Sequence, residues 1–412
     1  MINKFKHLLI FFCFIAIFLA NFSSCRSEKK QFRLPLTKPH KVGMSEAGLN
    51  RSRELIQKAI SENQFPGAVL LVARKGKIVL REAFGASQLV PEQKKMEVDS
   101  LFDLASLTKP IATATAAMTL VEEGKLRLMD KVIDFVPEFT TYADEKGNIT
   151  EDALLWHLLT HTSGLPGYTD AAAAASQLGN PCSTESLVKY IAQLPKNGPP
   201  SSKYEYSCLG FITLAYILEK VSGQAFDDFV SERIFKPLRM EHTLYKPAEN
   251  FLPKCAATLV IDGKPLIGTV HDPLARLQGG VSGNAGLFST ADDLAVFAQM
   301  LLQRGEFRGV RILSPLSVRR MTSVFEKVAF SGRGLGWDLA SPHSSNSGDL
   351  FPAGSFGHTG YTGTSIWIDP ATETFVIFLT NRVHPDDKGE VGRMRSFVAN
   401  IVASSIISGI KD

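Results

Sequence analysis

The stretch that decides the fold is Phe102-Asp103-Leu104-Ala105-Ser106-Leu107-Thr108-Lys109-Pro110, which leads into an apolar run from Ile111 to Val121. Ser106 and Lys109 are three positions apart, and residues at that spacing share one face of a helix, with Cβ atoms about 5–6 Å apart. A helix that is apolar nearly all round is buried. Its first turn offers unpaired N–H groups and the positive end of the helix dipole. A desolvated lysine there can lose its proton and activate the hydroxyl, so the sequence predicts a nucleophile at Ser106.

The Ser-x-x-Lys spacing occurs four times in the chain, so the motif by itself is weak. The copies that start at Ser27 and Ser408 lie in a polar segment near the N-terminus and in the C-terminal tail, where no pocket is expected. Ser186 lies on a polar helix and remains a second candidate. Only Ser106 opens a helix of buried character, and it is therefore the preferred nucleophile.

Two further motifs follow Ser106-Leu107-Thr108-Lys109 along the chain. They are Tyr206-Ser207-Cys208 within YSCLGF and His358-Thr359-Gly360 within GHTGYTG. Supporting segments are LLTHTSGLPG (158–167) and GNAGLFSTADDLAVFAQMLL (283–302). The order and approximate spacing resemble the class C-like members of the serine β-lactamase and penicillin-binding-protein superfamily, over about residue 42 to the C-terminus.

The resemblance implies a role for each matching residue. Ser106 would be the nucleophile, Lys109 its proton partner, and Tyr206 a second general acid/base near the leaving group, with Tyr204 as an alternative for that role. The backbone N–H groups of Ser106 and Tyr361 would form the oxyanion hole. Cys208, His358, Thr359 and Gly360 would contact the substrate. An acyl-enzyme on Ser106, later released by water, is the implied intermediate.

Two positions depart from the pattern of the family. Cys208 stands where the family commonly has asparagine, and a thiol cannot donate and accept as an amide does. His358 stands where lactamases and many penicillin-binding proteins have lysine, and an unperturbed histidine is mostly neutral at pH 7. Histidine at this position resembles some esterases and D-amino-acid peptidases, so efficient β-lactam hydrolysis is not the leading interpretation.

The order of elements predicts an α+β fold, in which an antiparallel sheet from both ends of the chain is flanked by N- and C-terminal helices and interrupted by a mostly helical lobe. We place the α/β lobe at about residues 42–105 and 285–412, and the helical lobe at about 106–284. Helical spacing of apolar residues predicts helices at 46–62, 106–123, 209–221 and 391–407. Alternation and turn residues predict strands at 68–74, 78–84, 334–339, 357–369 and 374–380. Residues 171–175 are expected to form a surface connection.

The N-terminus indicates export. Lys4 and Lys6 precede an apolar run at 8–20 that is short for a membrane span, which favours a signal peptide over residues 1–24. The run ends in Phe22-Ser23-Ser24-Cys25, which resembles a bacterial lipobox with Cys25 as the lipidated residue. Residues 25–41 then form a predicted tether. We expect a membrane-anchored lipoprotein in the periplasm or outer membrane, with simple secretion as the alternative.

The composition bounds the function. The chain has 412 residues, of which 44% are hydrophobic and 21% charged, which is typical of a globular protein. Without residues 1–24 the net charge is about +2, a balance that argues against nucleic acid as a partner. Five cysteines show no metal-binding spacing, and at most one disulfide is expected among Cys182, Cys208 and Cys255. No cofactor and no metal are implied.

Together these features predict an exported serine hydrolase that acts on D-amino-acid peptides, amides or esters, including peptidoglycan fragments. The enzyme alternative is a β-lactamase. The alternative from another class of protein is a non-catalytic module that binds peptidoglycan or a partner protein. The two departures from the family pattern, at Cys208 and His358, are the reason to consider it.

Overall fold

The computed structural model describes residues 32–342 and 344–409. The predicted signal peptide, Cys25 and residues 25–31 of the predicted tether lie outside the described residues. Residues 32–41 of that tether are packed on the domain. Leu34 is buried, and the Thr37 N–H donates to the Ile78 carbonyl at 2.8 Å. An apolar side chain in this segment thus draws it onto the sheet, which the polar character of residues 26–40 did not predict.

The strands are β1 (Gly67–Arg74), β2 (Lys77–Gln88), β3 (Lys94–Lys95), β4 (Phe102–Asp103), β5 (Leu244–Tyr245), β6 (Val260–Ile261), β7 (Lys264–Pro265), β8 (Leu287–Ser289), β9 (Glu306–Phe307), β10 (Val310–Arg311), β11 (Phe356–Thr359), β12 (Ser365–Asp369) and β13 (Thr374–Thr380).

The α-helices are α1 (Glu46–Ser61), α2 (Thr115–Glu122), α3 (Leu155–Leu159), α4 (Ala171–Leu178), α5 (Thr184–Gln193), α6 (Cys208–Ser222), α7 (Phe226–Val230), α8 (Pro273–Leu277), α9 (Ala291–Leu302), α10 (Pro315–Met321) and α11 (Gly392–Ser404). Within the described ranges, none of these helices combines the length and the apolar character that crossing a bilayer requires.

The main sheet has the strand order β11-β12-β13-β1-β2-β3, and its neighbouring strands are antiparallel. Leu70 of β1 lies opposite Phe378 of β13, so the first and last parts of the chain meet in the centre of the sheet. This confirms the predicted α+β fold, in which both ends of the chain build one antiparallel sheet.

Strand β1 is buried on both faces. Successive residues of a strand face opposite sides, and Leu70 belongs to an apolar cluster with residues of α1 and α11, whereas Leu71 belongs to the large core shared with α2, α6 and α9. The sheet is therefore a middle layer, with the terminal helices on one side and the inserted lobe with α9 on the other.

The segment after Ser106 is not the single helix that the sequence predicted. A 3₁₀ turn covers Ala105–Leu107, a π-helical turn covers Lys109–Ala114, and only then does α2 begin. Pro110 lacks an N–H group and cannot join a regular α-helical ladder. The Thr115 hydroxyl donates to the Pro110 carbonyl at 2.9 Å in this wider turn. Such turns occur often at functional sites.

Three other elements differ from the prediction. Residues 334–339 form no strand, because only isolated bridges join Asp338 to Arg333 and Gly357. The predicted strand at 357–369 is two strands, β11 and β12, separated by a turn in which Gly363 has a φ of 113°. The alanine run at 171–175 belongs to α4, because the Asp170 carboxylate caps its first turn.

Because β1 is buried on both faces, we expect that shortening Leu70 strongly lowers the stability of the protein. The Leu70→Ala change removes a fully buried side chain, and we expect it to lower the free energy of unfolding by about 2–5 kcal/mol. The control is Leu316→Ala, because Leu316 is 68% exposed and its loss should change that energy by less than about 0.5 kcal/mol. Urea unfolding measures both, and equal effects would contradict this layer arrangement.

Candidate active site

A cleft of about 310 Å³ lies between the β11 edge of the main sheet and the inserted lobe. Six of the residues that the sequence singled out line it: Ser106, Tyr206, His358, Thr359, Gly360 and Tyr361. They come from three separate parts of the chain, so the fold brings the three predicted motifs to one place.

Ser106 lies in the tight turn between β4 and the π-helical turn, and its side chain is half-buried. The preceding residue, Ala105, has a φ of 46°, which is unfavourable for a residue with a Cβ atom. The Ala105 N–H donates to the Asp103 carboxylate at 2.9 Å, and this bond holds the turn. Strained backbone of this kind is common beside reacting groups.

Lys109 is fully buried, and its amine is surrounded by acceptors. Its Nζ donates to Ser106 Oγ at 3.0 Å and to the Asn284 carbonyl at 3.1 Å, and it contacts Cys208 Sγ at 3.4 Å. Burial works to lower the pKa of the Lys109 amine, but ionisation of the Cys208 thiol and the Tyr206 phenol raises it, and the net direction is upward. An ammonium has three donors and fits this arrangement. This direction favours a charged Lys109 in the resting site, and Lys109 lies where the sequence predicted the proton partner of Ser106.

Tyr206 stands between several rings and cations. The His161 ring stacks on it with centroids 4.3 Å apart, and Lys109 Nζ and Arg333 Cζ lie 5.0 and 5.4 Å from its ring centre. Tyr204, the alternative, receives hydrogen bonds from Arg333 Nε and Nη2 at 3.2 and 2.9 Å and does not line the cleft. The geometry favours Tyr206 as the phenol beside Lys109.

His161 fixes the segment that carries Tyr206. The Ser207 N–H donates to His161 Nδ1 at 3.0 Å, and burial holds the pKa of His161 well below its usual value. The imidazole is thus neutral at physiological pH.

Cys208 is the first residue of α6 and lies behind the cleft, on the side of Lys109. Its N–H donates to the Gly167 carbonyl at 2.8 Å, and it does not line the cleft. Its Sγ contacts the Lys109 amine at 3.4 Å, and the contact between Cys208 and the substrate stays a prediction. Cys182, Cys208 and Cys255 are all free thiols.

The triplet at the end of β11 forms the opposite wall. His358 is buried, its Nδ1 lies 2.8 Å from the Thr359 carbonyl oxygen, and its ring centre is 6.0 Å from that of Tyr206. A Cβ atom on Gly360 would lie 2.4 Å from the Leu104 carbonyl oxygen. Only glycine therefore lets β11 approach the turn that carries Ser106 so closely.

Tyr361 follows the triplet and is 57% exposed. Its ring stacks on His271 with centroids 5.4 Å apart, and its hydroxyl donates to Asp387 at 2.7 Å. In the described part of the chain, neither the Ser106 N–H nor the Tyr361 N–H donates a hydrogen bond to another residue. Both groups belong to residues that line the cleft.

Sequence reasoning missed several neighbours of the site. Arg333 packs against Tyr206, the Asn284 carbonyl accepts from Lys109, and Asp272 accepts from the Tyr168 hydroxyl at 3.1 Å. Asn284 lies within the 283–302 segment that carried the family resemblance, whereas Arg333 and Asp272 carried no recognisable spacing to Ser106.

The second Ser-x-x-Lys candidate shows no site. Ser186 lies in the first turn of α5, where its hydroxyl accepts from the Ser183 hydroxyl at 2.9 Å. Lys189 instead forms surface ion pairs with Glu185 and Glu138 at 2.9 and 3.4 Å. Among residues 32–342 and 344–409, no group of three or more His, Cys, Asp and Glu side chains is arranged to hold a metal ion.

Comparison with known proteins agrees with this arrangement. The family model described as Beta-lactamase matches residues 53–400. The chain is 32% identical over 374 residues to an N-acetylmuramyl-L-alanine amidase of Bacillus subtilis (strain 168), and the aligned region covers 82% of this chain and 81% of that protein. It is 30% identical over 373 residues to a putative D-alanyl-D-alanine carboxypeptidase of Escherichia coli (strain K12), with 84% and 85% covered.

A solved structure gives the same architecture. That of EstCE1, a hydrolase with promiscuous acyltransferase activity, superposes with a TM-score of 0.71 at 24% identity, and the match covers 87% of this chain and 99% of that one. At this identity the likeness shows the fold alone. The family match over most of the sequence and the relatives at 30% identity or more show that this chain belongs to the beta-lactamase family of serine hydrolases.

Proposed function

We propose that the chain hydrolyses amide, peptide or ester bonds in D-amino-acid-containing cell-wall fragments through an acyl-enzyme on Ser106. One observation carries the proposal: the buried Lys109 ammonium donates to Ser106 Oγ at 3.0 Å beside Tyr206 and at the mouth of the cleft. Nucleophilic catalysis by a serine requires a group that can accept its proton, and a hydroxyl bonded to an amine beside a phenol has such groups within reach.

In the proposed acylation, Ser106 Oγ attacks the carbonyl carbon of the substrate. Tyr206 relays the hydroxyl proton to the leaving nitrogen or oxygen as the scissile bond breaks: it accepts the proton from Ser106 Oγ and releases its own to the leaving group. Lys109 Nζ and Arg333 Cζ lie 5.0 and 5.4 Å from its ring centre and stabilise negative charge on the phenol oxygen during the transfer. Lys109 thereby acts as a charged proton partner that orients Ser106 Oγ.

The tetrahedral intermediate places negative charge on the former carbonyl oxygen. The N–H groups of Ser106 and Tyr361 are the proposed donors to that oxygen, and removal of one such donor typically costs about 100- to 1,000-fold in rate. In deacylation, water attacks the ester carbonyl, Tyr206 accepts the proton of that water and returns one to Ser106 Oγ as the ester bond breaks, and the acyl group leaves as a carboxylic acid. The enzyme returns to its starting state without a cofactor.

The substrate class rests on the relatives. One is named an N-acetylmuramyl-L-alanine amidase and another a putative D-alanyl-D-alanine carboxypeptidase, and both names denote cleavage of an amide bond to alanine. The cleft of this chain also carries the guanidinium groups of Arg333 and Arg395 in its lining, which suits peptides that carry carboxylates. We therefore propose a cell-wall peptide with an alanine at the scissile bond.

Export and lipid anchoring are part of the same proposal. The apolar run at 8–20 followed by Cys25 supports them, and cell-wall fragments are found on the outer side of the membrane. Anchored there, the domain would meet its proposed substrate without crossing the bilayer.

Labelling with a fluorophosphonate tests the nucleophile. We expect Ser106→Ala to abolish labelling, because the activated hydroxyl is removed. The control is Ser186→Ala, which removes a serine with the same spacing to a lysine and should leave labelling unchanged. Full labelling of the Ser106→Ala protein would refute the assignment.

Turnover tests the role of Lys109. We expect Lys109→Ala to lower kcat/KM on N-acetylmuramyl-L-alanine, D-alanyl-D-alanine peptides or p-nitrophenyl esters by at least about 100-fold, because the proton partner is lost. Lys189→Ala, at a half-exposed lysine of α5, should have no effect. Equal turnover of wild type and Lys109→Ala would refute the role of Lys109. Absence of turnover by the wild type would favour a binding module, and nitrocefin turnover above that of the peptides would favour the β-lactamase alternative.

Metabolic labelling with a fatty acid tests the anchor. We expect the full chain to incorporate the label and to fractionate with membranes, and Cys25→Ser to lose both properties. Cys13→Ser, at the other cysteine of the N-terminal segment, should retain them. Incorporation that persists in Cys25→Ser would exclude this residue as the anchor.

A further inference from the structure

The carboxylate of Asp103 lies behind Ser106 and joins segments that are far apart in the chain. The side chain is 2% exposed. One oxygen accepts from the Ala105 N–H at 2.9 Å, and the other accepts from the His271 N–H at 2.6 Å. The main-chain carbonyl of Asp103 accepts from the Thr362 hydroxyl at 2.7 Å. One residue is thus bonded to three segments that surround the cleft.

Each of these segments carries a group of the site. Ala105 precedes Ser106 and has the strained φ of 46°. Thr362 follows Tyr361, whose N–H is a proposed oxyanion donor. His271 stacks on the Tyr361 ring from the other side, with centroids 5.4 Å apart. A shift of Asp103 would therefore change the distance between the Ser106 and Tyr361 N–H groups.

We propose that Asp103 is a positioning residue, and that its ionised carboxylate holds the Ser106 turn and the Tyr361 loop at the separation that oxyanion binding requires. The inference rests on the proposed function and adds to it a residue that touches neither the substrate nor the reacting atoms. It also adds a dependence on the ionisation state of that residue.

The need for ionisation follows from the donors. Both partners of the Asp103 carboxylate are backbone N–H groups, which donate and cannot accept. A carboxylate offers an acceptor to each of them. A protonated carboxyl carries a hydrogen on one oxygen, and that oxygen becomes a weaker acceptor than a carboxylate oxygen. Protonation therefore weakens one of the two bonds and loosens either the Ala105 turn or the His271 segment.

The groups around Asp103 set the pH at which its carboxylate takes up a proton. Burial raises the pKa of the Asp103 carboxyl to about 6, although the N–H groups of His271 and Ala105 act to lower it. Of the charged side chains nearby, Asp272 raises this pKa and Arg276 lowers it. Burial lowers the pKa of the His271 imidazole and raises that of the Cys255 thiol to about 12, so both are neutral near pH 7.

Because the pKa of Asp103 is raised, activity is expected to fall as the pH is lowered. Above about pH 6 Asp103 is ionised, both N–H bonds are made, and the site is assembled. As the pH falls through 6 the carboxyl takes up a proton and kcat/KM falls with it. The wild-type profile should therefore show an acidic limb near pH 6 that belongs to Asp103.

The test is the pH profile of kcat/KM between pH 4.5 and 8.5 for wild type and Asp103→Asn, measured on the amide substrate of highest turnover. Asparagine has nearly the same shape, keeps one acceptor and does not titrate. We expect Asp103→Asn to lose about 10- to 100-fold at pH 8, because the two N–H groups are misplaced, and to lack the limb near pH 6. Fluorophosphonate labelling rates should follow the same profile.

Asp369→Asn is the matched control. Asp369 is also buried, and its oxygens accept from the Ala371 and Thr372 N–H groups at 3.0 and 3.1 Å, but it lies at the end of β12 that is remote from the cleft. This variant should be less stable and should keep the limb near pH 6. Circular dichroism and thermal unfolding show whether each variant is folded.

Retention of full activity and of the limb in Asp103→Asn would overturn the inference. If that variant does not fold, the wild type decides the question, because a profile without a limb between pH 5 and 7 would overturn it equally. A different result would refute the proposed function. If the Ser106→Ala variant still turns over the substrate, Ser106 is not the nucleophile, and this inference falls with that assignment. An unchanged limb in an enzyme that depends on Ser106 would refute the inference alone.

Discussion

The buried ammonium of Lys109 is the constraint on which the rest of the site depends. A cation without water is costly unless each of its N–H groups finds an acceptor. Ser106 Oγ and the Asn284 carbonyl supply two acceptors and Cys208 Sγ supplies a contact, and these residues belong to three distant parts of the chain. The turn at Ser106, the first turn of α6 and the segment before β8 must therefore converge on this one amine.

Much of this arrangement could be predicted from the sequence. The three-residue spacing of Ser106 and Lys109 predicts neighbouring side chains, and the apolar run after them predicts burial. The structure shows both, although a 3₁₀ turn and a π-helical turn replace the predicted helix. Residues 68–74 read as a strand because they are β-branched and aliphatic between turn residues. The order of three motifs, each weak alone, was enough to place Tyr206 and Gly360 at the same cleft as Ser106.

The features of the site that the sequence did not predict depend on contacts between residues far apart in the chain, or on backbone bonds, which hydrophobic patterns do not report. Arg333 reaches Tyr206 from the position directly before residues 334–339, which were predicted as a strand and form only isolated bridges. The charge state of Lys109 depends on the thiol and phenol that face it, and neither is near it in sequence. The wide turn after Pro110 and the helix capped by Asp170 were missed for a different reason, because a proline and a cap act on backbone bonds that hydrophobic periodicity does not report.

The central pairing of β1 with β13 has a consequence for the time at which the protein becomes folded. A ribosome releases β1 about three hundred residues before its partner, Thr374–Thr380, so the nascent chain carries an open strand edge for most of its synthesis. Unpaired edges of apolar strands template aggregation. A chain that stops short of β13 would keep that edge, and the last forty or so residues thus decide whether the rest of the polypeptide stays soluble.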